Sequence, residues 1–169
     1  MKIKDAKKSF DTDDLDGIDL HLLQILQADS SQTNQDLANL VHVSPPTCLR
    51  RVKRLHELGL IEKQVAILQT DRLRSLVGAG LTAIVEITLT EQTEEIIAVC
   101  EAKLIQEPAV QQCYRTSPGP DLIAIVQARD MPAYHALAQR LFTQDTKVRN
   151  VRAFFATSRG KFSTALGWL

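Results

Sequence analysis

The sequence predicts an α+β chain in two parts, an N-terminal trihelical (winged) helix-turn-helix unit and a C-terminal ferredoxin-like βαββαβ unit. Three observations predict it. From Leu15 to Leu58 apolar residues recur at three- and four-residue steps, the period of a helix with one buried face. Helix-start and helix-stop residues divide that stretch into three short segments. Beyond Gly80 the pattern changes to alternation every second residue, broken twice by helical stretches.

Residues 1–14 are polar and mixed in charge, and are expected to form a loose arm. Ile18, Leu22, Ile25 and Leu26 then mark the buried side of a first helix, which Asp29-Ser30-Ser31 ends. Thr33 with Asp36 three residues on reads as a capping box opening a second helix, buried at Leu37, Ala38, Leu40 and Val41. His42-Val43 leaves a tight turn. Ser44 and Pro45 start a third helix, and Gly59 supplies its left-handed stop. These helices make a domain over residues 15–60. Residues 61–80 are expected to be a linker strand (Ile61–Leu68), a helical turn (Thr70–Leu76) and a glycine hinge, Gly78-Ala79-Gly80.

A second domain follows over residues 81–158. Leu81–Leu89 is a strand, Glu91–Ile105 a helix and Val110–Thr116 a strand, followed by a turn at Ser117-Pro118-Gly119-Pro120. Leu122–Ala128 is a strand, Met131–Phe142 a helix and Val148–Thr157 a strand. The order is that of the split βαβ arrangement, with a short tail at 159–169. In that arrangement both helices cover one sheet face, yet both faces of Leu122–Ala128 are apolar. An exposed apolar sheet face is prone to association, so a two-fold dimer through that face is expected.

Composition excludes several classes of function. Cys48, Cys100 and Cys113 lie far apart without a CxxC pair, so neither a disulfide framework nor a zinc site is expected, and buried free thiols are. His21, His42, His56 and His135 have no metal-ligand spacing, and no catalytic motif is visible. No metal, cofactor or catalytic residue is therefore expected. No apolar run reaches the ~18 residues of a membrane span, and MKIKDAKKSF lacks the apolar core of a secretion signal. The expected location is the cytoplasm.

Lys+Arg and Asp+Glu both number 20, so net charge does not point to a polyanion, but the distribution does. Ser44–Leu55 (SPPTCLRRVKRL) carries four basic side chains and no acid. With about 100° per residue, Cys48, Leu49, Val52 and Leu55 are expected to face a core. Thr47, Arg50, Arg51, Lys53 and Arg54 are expected to face solvent. Such a helix suits the major groove of double-stranded DNA, with arginines reading guanine and Lys53 holding a phosphate. Pro46, at the same helix start, joins the contact set. Helix amides near Thr33, Asn34 and Ser44 are expected to meet phosphates.

These residues resemble the Lrp/AsnC (feast/famine) family of transcription regulators. The carriers are Leu15-Asp16-x-x-Asp19 with Leu23 and Leu26, then Thr33-Asn34 with Leu37. They continue with Ser44-Pro45-x-x-Cys48-Leu49-x-Arg51-Val52-x-Arg54-Leu55, Gly59-x-Ile61 and Val85-Glu86-Ile87. The resemblance implies DNA binding through the third helix, dimers through the C-terminal sheet that assemble into tetramers or octamers, and an amino-acid effector. The family's effector loop corresponds to Ser117-Pro118-Gly119-Pro120-Asp121-Leu122, where only Asp121 keeps the acidic pattern. The effector candidates are Thr116, Ser117, Gly119 and Asp121. The competing reading is a metabolite-binding module or small enzyme on the ferredoxin-like unit, with the helical unit as adaptor.

Overall fold

The computed structural model describes residues 15–78, 80–145 and 147–169, so the expected N-terminal arm and Ala79 of the hinge lie outside the described residues. Internal contacts divide the chain into two units. The first runs to Ile67 and takes in Lys161–Leu169, and the second is Leu68–Gly160. The tail, read from sequence as a separate piece, thus belongs with the helical unit, where the Leu166 amide donates to Gln27 Oε1 at 2.8 Å.

In the first unit, α1 (Gly17–Ala28), α2 (Asn34–Leu40) and α3 (Pro45–Glu57) enclose a core of Leu22, Leu26, Leu37, Ala38, Val41, Cys48 and Leu55. Each helix has a chemical start. Asp16 caps α1, accepting the Ile18 and Asp19 amides at 3.0 Å, while Asp19 accepts the Asp16 amide at 3.4 Å. That capping box satisfies donors which would otherwise go unpaired. Thr33 caps α2 by accepting the Asp36 amide at 3.2 Å. Its own hydroxyl donates to the Asp36 carboxylate at 2.6 Å.

The two turns end helices in the same way. After α3, Gly59 (φ 72°) takes the left-handed position; its amide donates to His56 O and the Leu60 amide to Leu55 O. After α2, His42 occupies that position at φ 55°, with the Val43 amide donating to Ala38 O. A side chain pays about 1–2 kcal/mol in that region, part of which a glycine forgoes through its looser unfolded chain. His42→Gly is therefore expected to stabilise the helical unit by about 0.5–1 kcal/mol, seen as a higher urea midpoint at unchanged slope.

Two expectations about the elements before the sheet fail. Leu40 is half exposed rather than buried, because its neighbours Leu37, Ala38 and Val41 already fill the inner face of a short helix. Among the described residues Ile61–Leu68 forms no strand, and Val65, Ile67 and Leu68 are exposed. The described strands all belong to the sheet of the second unit, so this segment has no ladder partner.

The second unit holds α4 (Thr70–Val77), β1 (Leu81–Leu89), α5 (Glu94–Gln106), β2 (Val110–Arg115), β3 (Leu122–Ala128), α6 (Met131–Ala138) and β4 (Val148–Phe155). α6 continues through a π-helical turn over Gln139–Thr143. α5 begins three residues later than its charge pattern suggests, because Thr93 supplies the cap by accepting the Ile96 amide. The sheet is antiparallel in the order β2-β3-β1-β4, the ferredoxin-like topology the sequence predicts.

Register puts Ala83, Val85 and Ile87 of β1 opposite Val126, Ala124 and Leu122 of β3. These six are buried beneath Cys100 and Leu104 of α5, Tyr134 and Leu137 of α6, and Phe142 of the π turn. The helices thus cover one face. Burial raises the thiol pKa of Cys48, Cys100 and Cys113, consistent with inert free thiols.

Lys103 on α5 donates to Asp145 at 2.5 Å and holds that carboxyl below its ordinary range. A folded pKa below the unfolded one adds stability above the unfolded value near pH 4, and that stability is lost as pH falls through the folded pKa. Asp145→Asn is expected to flatten the acid limb of a stability–pH curve below about pH 4. Because Lys103 is half exposed, the same change costs no more than about 1 kcal/mol at pH 7.

Candidate nucleic-acid interface

The third helix positions most of the candidate residues, and its start differs from expectation. Ser44 has the extended backbone of a cap (φ −71°, ψ 148°), yet its hydroxyl pairs with the Thr47 hydroxyl at 2.8 Å and caps no amide. Pro45 and Pro46 fill the first two helical positions and have no N–H. The Cys48 amide is used by Ser44 O at 2.9 Å. Thr47 is then the first residue of α3 carrying an amide donor, so this helix start offers fewer amides to a phosphate than expected. Asn34, also expected to meet phosphate, spends its side-chain amide on Pro45 O at 2.9 Å and fixes α2 to α3. Thr33 is exposed at the start of α2, with its hydroxyl engaged by Asp36.

The largest correction concerns Arg51. It does not face solvent with Arg50: its Nη1 donates to Asp19 Oδ1 at 2.8 Å and lies 2.8 Å from Asp16 Oδ2. The helical period explains this. Arg51 lies about 60° from Cys48 and about 40° from Leu55, on the margin of the buried stripe. Asp19 is 1% exposed and also accepts from Arg54 Nη1 at 3.1 Å. A carboxylate this buried needs charge-assisted partners, and two arginines of α3 supply them. The hydrogen bond to Asp19 raises the pKa of Arg51 further, and the Asp19 amide is the first cause holding Asp16 below its ordinary value. Arg51 is a strut between α1 and α3. Arg54 shares that tie but keeps 39% of its side chain exposed.

What α3 leaves outward is narrower than predicted and partly apolar. Arg50 and Lys53 are exposed, with Lys53 3.7 Å from Glu57. Pro46 is exposed beside them. Leu49, expected in the core, is 60% exposed, because it lies about 100° from Cys48 and past the edge of the stripe. The Asp16–Asp19 pair was legible as an acidic cap signature before an apolar run, and the angular position of Arg51 was legible beside it.

In the second unit the turn after β2 brings the effector candidates together, with one exception. Ser117 and Gly119 are exposed, and Gly119 has φ 131°, a region that favours glycine. The Thr116 hydroxyl donates to Pro120 O at 2.5 Å. Asp121 is buried instead of presented: its Oδ2 accepts the Leu89 amide at 2.7 Å and its own amide donates to Ile87 O. It closes the end of the β1–β3 ladder, where a backbone donor would otherwise be orphaned.

The uncovered sheet face carries Ile84, Ile123, Ile125, Phe154 and Tyr114, all at least partly exposed. Glu86 and Arg152, 3.5 Å apart, sit among them, and the Arg152 guanidinium lies 5.2 Å from the Phe154 ring centre. Among the described residues no group of three or more His, Cys, Asp or Glu could hold a metal ion.

Comparison with known proteins agrees with this division. Residues 15–62 match the winged helix-turn-helix DNA-binding model, and residues 82–166 match the Lrp/AsnC ligand binding domain. The leucine-responsive regulatory protein of Salmonella typhimurium is 31% identical over 90% of this chain and 91% of its own. An AsnC family transcriptional regulator from Agrobacterium tumefaciens superposes with a TM-score of 0.77 at 30% identity, covering 90% of this chain and 96% of that one. A transcriptional regulator from Neisseria meningitidis, crystallised as its L-Met complex, gives a TM-score of 0.77 at 25% identity over 90% and 96% of the two chains.

Proposed function

The chain belongs to the Lrp/AsnC family of DNA-binding transcription regulators, and from that premise we propose that Arg50 and Lys53 of α3 carry most of its contact with the operator. The observation that supports this is the Asp19 tie: it occupies Arg51 and one nitrogen of Arg54, and leaves those two cations outward. Arg50 is the group able to read a guanine edge with two donors, and Lys53 suits a phosphate. Thr47, Pro46 and the exposed portion of the Arg54 side chain line the same surface, and Thr33 stands at the start of α2.

The test is operator binding measured against salt, using duplexes selected from a random pool. Each phosphate contact contributes about 0.9 to the slope of log K against log salt. Lys53→Ala is expected to lower the slope by about 1, and Arg50→Ala to cost about 1–3 kcal/mol with relaxed base preference. Arg51→Ala is expected to change stability first. Unchanged affinity in the Arg50→Ala/Lys53→Ala pair would remove α3 from the contact.

The remaining parts of this reading concern assembly, effector, chemistry and location. The uncovered sheet face pairs with a second copy into a two-fold dimer, the unit from which tetramers or octamers are built. The effector is a free amino acid, as the names of the leucine-responsive and L-Met-bound relatives suggest, met by the turn at Thr116, Ser117 and Gly119. Asp121 acts there as a positioning residue for the turn. The chain regulates without turnover, and it does so in the cytoplasm, where duplex DNA lies. Among the described residues no helix is long and apolar enough to cross a membrane. Titration calorimetry with the common amino acids, paired with operator affinity, checks this: binding that shifts operator affinity supports it, and conversion of the bound ligand would overturn it.

A further inference from the structure

The outward surface of α3 is cationic and apolar together, and the apolar part has no assigned role. Single exposed leucines are common and need no explanation by themselves. Leu49 differs by its neighbours. It is 60% exposed, on the flank of α3 next to Lys53. Arg50 follows it in sequence, and Lys53 lies one turn further on, about 40° around the helix axis. Pro46, one turn before, lies about 60° around and is also exposed. Leu49 and Pro46 thus form a small apolar step bordered by two cations.

That combination matches one feature of the DNA major groove. Among the four bases only thymine presents a methyl group there, and apolar side chains recognise it by contact. The hydrogen-bonding readers on α3 are few, because Asp19 holds Arg51 and one nitrogen of Arg54. Flanking cations bring the phosphates of a duplex to this surface. A leucine on the Lys53 side of that pair loses water only when a complementary apolar group meets it. We propose that Leu49, supported by Pro46, reads a thymine by its 5-methyl group, and so determines one position of the operator half-site. The inference rests on α3 being the DNA-contacting helix, as proposed above.

The experiment uses the full chain and duplexes selected from a random pool, with each thymine replaced singly by deoxyuridine. That replacement removes one methyl and leaves base pairing intact. Wild-type protein is expected to lose about fourfold in affinity at one thymine of the half-site, the equivalent of one buried methyl. Leu49→Ala is expected to bind thymine and uracil equally at that position and to keep the wild-type melting temperature, since the side chain is exposed. Indifference of the wild type to every deoxyuridine would overturn the proposal, as would an undiminished methyl preference in Leu49→Ala. Failure to select any duplex, or operator affinity unaltered by Arg50→Ala/Lys53→Ala, would instead overturn the reading of α3 and this proposal with it.

Discussion

Asp19→Ala is expected to destabilise the helical unit by about 3–5 kcal/mol, a large part of the stability of a small domain. The side chain is 1% exposed and accepts hydrogen bonds from Arg51, Arg54 and the Asp16 amide. Its removal leaves the Arg51 guanidinium half buried without its main counter-charge and opens half of the α1 capping box. Arg51 Nε is already buried without a hydrogen-bond partner, and the carboxylate that would remain beside the guanidinium, Asp16 at 2.8 Å, is half exposed. Asp19→Asn keeps the shape but loses the charge and is expected to cost somewhat less. A charge-free pair, Asp19→Leu with Arg51→Met, is expected to recover most of the loss, because apolar replacement of both partners avoids a stranded ion. Chemical denaturation followed by far-UV circular dichroism measures all three. A cost for Asp19→Ala below about 1 kcal/mol would show that the contact between α1 and α3 does not depend on this ion cluster.

Ile84→Lys is expected to weaken self-association by about 10³-fold or more. Ile84 is central on the uncovered sheet face, paired with Ile125 of β3 and Phe154 of β4, both of them apolar. In a two-fold interface one substitution is present twice. Each buried, unpaired ammonium costs several kcal/mol, and about 4 kcal/mol in total already corresponds to 10³ in the dissociation constant. Sedimentation velocity over a concentration series reads the effect. The fold of the unit is expected to persist, since the covered face keeps its core. A variant that sediments as wild type at all concentrations would overturn the proposed pairing through this face.

The architecture was legible because its signals are local and repeated. Alternation fixed β1 and β3 to the residue, Leu81–Leu89 and Leu122–Ala128, and Gly59 marked the end of α3. The site was less legible because side-chain roles depend on what packs opposite. A helical wheel sorts residues by angle, but Arg51 lies at a margin where a long side chain can turn either way. The buried carboxylate of Asp19, 32 residues earlier, decides which. Asp121 shows the same dependence: it looked like a ligand group, and it serves a backbone amide 32 residues earlier. Leu49 errs in the opposite direction, since apolar character suggested burial where its angle on the helix lies past the edge of the buried stripe. For Arg51 and Asp121 the missing information was a partner outside the local period.

The two prolines that open α3 have a consequence for how the helix seats on its target. A helix that aims its first turn at a sugar–phosphate chain ordinarily clamps it with rigid main-chain protons. Here pyrrolidine rings stand in the first two helical positions and withdraw two of those protons. On the reading proposed above, registration along the groove then falls mainly to the long, rotatable side chains of Arg50 and Lys53 further along. Such a reader would tolerate more variation in backbone path from one site to another than a helix start with a full set of main-chain donors.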